Sequence, residues 1–244
     1  MKQANEPAAL ILSHGQPSAP DGPQADMAAL AAAVAPHLAE WRVRGATLAA
    51  PGGLEAALGE LGDGPVRVFP FFMADGWFVR SQIPKRLAEA GRDDCVVLPP
   101  FGLDPEVTAL CVRRAREGAE AHGYDPAQTI LVLAAHGSPS NTKPAEAARS
   151  VAAAIEASAA FREVSTGFVD EPPYLADVAR GAEPGVCLPF FAAENGHVRE
   201  DLPEALAEAE FTGPLLPAIG TDAETPAIIA AAFLRSAREA ETVG

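Results

Sequence analysis

Short apolar runs recur near residues 8–13, 43–49, 66–72 and 95–98, and Ala- and Leu-rich stretches with helical spacing fill the intervals near 24–40, 54–61 and 79–90. Apolar runs of this length bounded by turn formers read as strands, and the intervening periodicity reads as helix. After a longer helix over 105–121 the order begins again. Strands are expected near 130–135, 163–169, 185–191 and 213–216, with helices near 144–159, 175–180, 198–209 and 226–240. Strands that alternate with helices predict a parallel sheet covered by helices on both faces, once in each half. Helix-stopping residues in His122-Gly123-Tyr124-Asp125-Pro126 suggest the seam, giving lobes 1–122 and 123–244.

The halves are also alike residue by residue. Ala8-Ala9-Leu10-Ile11-Leu12-Ser13-His14-Gly15-Gln16-Pro17-Ser18 lines up with Ile130-Leu131-Val132-Leu133-Ala134-Ala135-His136-Gly137-Ser138-Pro139-Ser140, an offset of 122 from His14 to His136. Val68-Phe69-Pro70-Phe71-Phe72 then matches Cys187-Leu188-Pro189-Phe190-Phe191, and the match continues through Val79-Arg80 and Pro84 against Val198-Arg199 and Pro203, an offset of 119 from Pro70 to Pro189. Open α/β sheets bind ligands beyond the carboxyl ends of their strands. His14, His136 and the segments after Phe72 and Phe191 lie at such ends, so the repeat creates two equivalent candidate sites.

Composition narrows the chemistry. The 244 residues are 48% hydrophobic and 21% charged, as in ordinary globular proteins, and the formal charge of −15 speaks against nucleic acid and suits a cationic ligand. No apolar stretch approaches a membrane span, and no signal peptide is recognisable, so a cytoplasmic protein without membrane association is expected. Cys95, Cys111 and Cys187 are scattered without a CxxC pair and read as buried small hydrophobes.

A strand ending in His136-Gly137-Ser138, followed by Pro189-Phe190-Phe191 and His197-Val198-Arg199-Glu200-Asp201-Leu202-Pro203, resembles the class II tetrapyrrole chelatases, the sirohydrochlorin cobaltochelatase and ferrochelatase family, in its long two-repeat form. That resemblance implies a chelatase-like fold of two duplicated flavodoxin-like lobes, with the active-site cleft between them. It also implies insertion of Co²⁺ or Fe²⁺, as substrate, into sirohydrochlorin without ATP or organic cofactor, in cobalamin or sirohaem synthesis. The family's metal-binding histidines match His136 and His197, and its acidic residue matches Glu171. In the first lobe the offsets put Phe78 opposite His197, Ala49 opposite Glu171 and Leu48 opposite Asp170, so His14 marks a degenerate site.

Metal insertion needs a partly dehydrated cation held over the macrocycle and acceptors for two pyrrole protons. Imidazole suits Co²⁺, Fe²⁺ and Ni²⁺, and a small ligand set still lets the ion leave. A histidine near its ordinary pKa also accepts protons at physiological pH. His136, His197 and Glu171 are therefore the expected ligands and bases, with Glu194 an acidic reserve. The polycarboxylate substrate calls for local positive and polar groups, for which Arg80, Arg199, Lys143 and Ser138 are candidates, and Trp77 and Phe78 offer stacking surface. An alternative from another class is a non-catalytic tetrapyrrole or metal carrier descended from a chelatase. Monomer and homodimer are both compatible with two internal lobes.

Overall fold

The computed structural model describes residues 6–243. Its first sheet is built on β1 (Ala8–Ser13), flanked by β2 (Arg42–Thr47) and β3 (Val66–Pro70), with β4 (Val96–Val97) on the outer edge, all parallel in the order β2-β1-β3-β4. The second repeats this with β5 (Ile130–Ala135), β6 (Glu163–Phe168) and β7 (Gly185–Pro189) in the order β6-β5-β7. All six residues of β5 are buried, as a central strand covered on both faces requires. The strand order is that of flavodoxin-like sheets, whose switch point lies between the central strand and its later neighbour.

Two expected strands are curtailed. Only Val96 and Val97 pair in the 95–98 run, and the 213–216 run contributes a single bridge from Leu215 to Cys187. Pro214 and Pro217 flank that bridge and have no N–H to extend a ladder.

The helices are α1 (Asp21–Val34), α2 (Gly53–Leu61), α3 (Ile83–Glu89), α4 (Pro105–Ala121), α5 (Lys143–Ala157), α6 (Leu175–Ala179), α7 (Leu202–Glu208) and α8 (Thr225–Val243). Both α3 and α7 are entered through a five-residue π turn, Phe78–Gln82 and His197–Asp201, in which the N–H of Ile83 or Leu202 donates five residues back to Phe78 or His197. Pro84 and Pro203 follow at once. A proline donates no hydrogen bond and crowds the carbonyl four residues earlier, which explains why the chain widens there.

Two compact units result, one of Met1–Phe101 with Ala223–Gly244, the other of Gly102–Asp222. The 122/123 seam inferred from the repeat is therefore not where the packing divides, because each repeat's last helix belongs to the other repeat's unit. The α4 stripe of Val107, Leu110, Cys111, Ala115 and Ala119 is buried in the second unit, where the helix packs on β7 and α5. Phe233 of α8 is buried in the first, with its ring 5.8 Å from Phe69 and 6.0 Å from Trp41. A repeat offset marks equivalent residues, whereas apolar stripes decide which sheet a helix covers.

Cys111 and Cys187 are buried, and burial pushes both thiols up to about 12. Cys95 is half-buried and its thiol is raised for the same reason. Among the described residues no helix is long and apolar enough to cross a membrane.

Candidate metal centre

The second unit's site begins where β5 turns sharply at His136-Gly137-Ser138. Gly137 has φ +74°, and a Cβ there would lie 2.8 Å from Glu171 Cγ, so both conformation and space demand glycine. The loop after β6 is tied to this turn: Asp170 N–H donates to His136 C=O at 2.9 Å, and Ser138 N–H donates to Glu171 Oε1 at 2.9 Å. His136 Nδ1 is 2.9 Å from Gly137 O and 3.2 Å from Asp170 Oδ2.

His197 arrives from the other side of the switch point, as the first residue of the π turn after β7. Its Nδ1 is 2.6 Å from Asp201 Oδ2, at the far end of the same turn. The His136 and His197 ring centroids are 4.4 Å apart with planes at 72°, and Phe191 lies 6.4 Å from His136. The two imidazole side chains are 44% and 35% exposed, so solvent and ligand reach both. An acceptor beside each Nδ1 favours a proton there and leaves the Nε2 lone pairs free, the arrangement of metal-binding histidines held by carboxylates. Imidazole nitrogens bind first-row ions at roughly 2.0–2.1 Å, so rings this close can serve one ion.

Among the described residues no three His, Cys, Asp or Glu side chains converge to hold a metal. The centre is an imidazole pair with two carboxylates behind it. Glu171 is engaged with the Ser138 N–H, and Glu194 accepts the Ala218 N–H at 2.9 Å. Lys143 pairs with Glu146 at 2.6 Å. Arg199 is exposed and makes no ion pair among the described residues, whereas Arg80 is bound to Asp75 at 2.7 Å. Asp75 and Glu194 are equivalent in the repeat, but Asp75 pairs with Arg80 whereas Glu194 accepts a backbone N–H. His37 and His122 lie on the surface.

In the first unit His14 packs against Phe78 with centroids 4.2 Å apart, and Phe72 and Trp77 lie 6.0 and 5.1 Å from Phe78. His14 Nδ1 is buried without a hydrogen-bond partner, and burial lowers the pKa of its ring. Trp77 is 56% exposed.

Register corrects one equivalence. Thr47 lies opposite Ser13 as Phe168 lies opposite Ala135, and Ala49 N–H donates to His14 C=O as Asp170 N–H donates to His136 C=O. Asp170 therefore corresponds to Ala49 and Glu171 to Ala50, an offset of 121, because the connection from β5 to β6 is one residue shorter than that from β1 to β2. The carboxylates at Asp170 and Asp201 escape a sequence reading centred on ligands. Their signal was present in the repeat, since Asp201 corresponds to Gln82 and follows His197 by four residues.

A duplicated doubly wound protein with an imidazole pair at the switch point of one unit defines the class as a two-repeat chelatase-like α/β protein. The chain belongs to the CbiX family, whose model matches residues 8–118 and 130–236. It is 29% identical over 166 residues to a probable sirohydrochlorin cobaltochelatase of Halobacterium salinarum, a match spanning 57% of this chain and 56% of that protein. The solved structure of CbiX, described as the terminal enzyme for siroheme biosynthesis in denitrifying bacteria, is 44% identical with a TM-score of 0.86, covering 93% of this chain and 98% of that one. SirB from Bacillus subtilis with Fe³⁺ shares the fold at 16% identity and TM-score 0.80, covering 97% of this chain and 98% of that one.

Proposed function

We propose that this protein inserts a divalent first-row metal, Co²⁺ or Fe²⁺, into sirohydrochlorin without ATP, in the cytoplasm. The observation that carries the reading is the His136–His197 pair, 4.4 Å apart with each Nδ1 against a carboxylate. The relatives' names support the substrate class, one named for cobalt and the other for siroheme. In the reaction the ion replaces two pyrrole protons, so M²⁺ and the free macrocycle give the neutral chelated core and two H⁺. His136 and His197 hold the ion through Nε2 and, once it passes to the ring, are free to take up protons. Glu171 supplies negative charge or a proton acceptor next to the His136 turn. Two imidazoles bind tightly enough to desolvate the ion and loosely enough to release it. Arg199 meets a substrate carboxylate, aided by Ser138, and Arg80, Trp77 and Phe78 are proposed as further substrate contacts. His14 takes no part in holding the metal.

The test follows absorbance after mixing protein, sirohydrochlorin and Co²⁺. Turnover beyond one equivalent is expected, whereas a stoichiometric spectral shift alone would mark a carrier. His136→Ala and His197→Ala should each slow insertion by at least about 100-fold, the low end for positioned acid/base groups. His14→Ala should cost far less, and the reverse order would overturn the assignment of units.

A further inference from the structure

We infer that Asp170 and Asp201 are positioning residues that fix His136 and His197 as Nδ1–H tautomers, so that both Nε2 lone pairs face the same ion. This rests on the reading of the pair as the metal centre. The two carboxylates come from separate elements, the loop after β6 and the end of the π turn, yet each lies against the same ring atom, at 3.2 and 2.6 Å. At His136 the Gly137 carbonyl, 2.9 Å away, reinforces the choice, because a carbonyl only accepts and so requires the proton on Nδ1.

The first unit shows the same site with these groups removed. Asp170 is replaced by Ala49, Asp201 by Gln82 and His197 by Phe78. The remaining His14 keeps a buried Nδ1 with no partner, packed on an aromatic ring. The carboxylates and the second imidazole have gone together, as expected if the acids serve the imidazoles and not the turn. Both turns survive the loss, since Gly15 and Gly137 have φ +77° and +74°.

Chemistry gives the acids a second effect. Behind the rings, two carboxylates offset the charge of a divalent ion without occupying its coordination positions, so affinity rises while the ion stays exchangeable. Direct carboxylate ligation would instead add metal bonds that must be broken at each transfer. The carboxylates thus set how strongly the pair binds and which nitrogen it offers.

Long-range ¹H–¹⁵N correlation on the full-length metal-free protein, at mildly alkaline pH, reads the tautomers directly. Both rings should carry the proton on Nδ1. Asp201→Leu should shift His197 towards the Nε2–H form, which predominates in free histidine, and weaken Co²⁺ binding by calorimetry about 10- to 100-fold, the usual cost of losing such a partner. Asp201→Asn keeps a carbonyl acceptor of the same size and guards against misfolding as the cause; it should retain the Nδ1–H form and still bind Co²⁺ more weakly than wild type. Asp170→Leu should act on His136 in the same direction but less, because Gly137 O remains. Wild-type rings in the Nε2–H form, or an Asp201→Leu variant with unchanged tautomer and Co²⁺ affinity, would overturn the inference. A wild type with Nδ1–H rings that bind Co²⁺ through this pair but never insert it would sink the proposed reaction and leave the positioning role standing.

Discussion

Glu171 is the candidate whose role the structure makes most open to experiment, because it sits beside the His136 turn and is already hydrogen-bonded. Its Oε1 accepts the Ser138 N–H at 2.9 Å, and its Cγ fills the space that glycine leaves at position 137. Glu171→Gln keeps that shape and a carbonyl acceptor but removes the charge. A hydrogen bond to a charged group contributes about 1.5–3 kcal/mol and a neutral one about 1, so the brace loses ~1 kcal/mol or somewhat more, less still because the site is wet. One kcal/mol is about fivefold in an equilibrium or rate. A carboxylate acting as base or charge partner contributes ~100-fold or more. The two roles therefore predict different numbers for one variant. Single-turnover insertion of Co²⁺ into sirohydrochlorin, followed by absorbance, measures the rate, and urea unfolding measures stability. The expected result is a loss of about 100-fold in rate with ~1 kcal/mol or less in stability. A rate within about fivefold of wild type would remove Glu171 from the chemistry and leave it as the brace of the His136 turn.

Phe233→Ala, which empties a fully buried position against Phe69 and Trp41, should cost about 3–5 kcal/mol in urea unfolding followed by Trp41 fluorescence; a loss under ~1 kcal/mol would contradict the packing of α8 on the first sheet. His14 is disfavoured as a cation in the folded chain, so the unfolded chain takes up the proton first and stability should fall as pH drops below about 6.5 towards the lowered folded value. His14→Phe should flatten that part of the pH profile of the urea midpoint, and an unchanged profile would show that His14 is not its source. Sirohydrochlorin should quench tryptophan fluorescence, and Trp77→Leu should remove most of the quench and weaken binding by roughly 1–3 kcal/mol, by analogy with stacked bases. An undiminished quench with unaltered affinity would make the Trp77 loop ordinary surface.

Much of the fold was legible because its signals are local. Buried central strands announce themselves as unbroken apolar runs, and the repeat confirmed each run with a second copy. The exchange of α4 and α8 was hidden because helical periodicity reveals that a stripe will be buried and not which sheet buries it. The π turns were hidden within longer helical stretches, although Pro84 and Pro203 marked where ordinary helix geometry fails. At the site, His136, His197 and the contrast with Phe78 could be read from the chain compared with itself. Asp170 and Asp201 also differ from their first-unit counterparts Ala49 and Gln82, but which atom of a histidine each touches is visible only in the structure.

The duplicated chain also explains why His14 persists where its partners do not. The centroid separation of His14 and Phe78, 4.2 Å, nearly equals the 4.4 Å between His136 and His197, so the slot at the strand ends holds two rings in both units. Phe78 packs with Phe72 against the first core, which stabilises the loop by burial instead of by a carboxylate at Nδ1. Once Phe78 fills that slot, His14 is held by packing, and burial disfavours its charged form. Restoring a histidine at position 78 would therefore bring back only the second imidazole. Ala49 and Gln82 still lack the carboxylates that orient such rings, and the apolar contact with the core would be lost. On the proposed reading the first unit differs from the second by several coupled replacements, and no single substitution there would rebuild an imidazole pair backed by carboxylates.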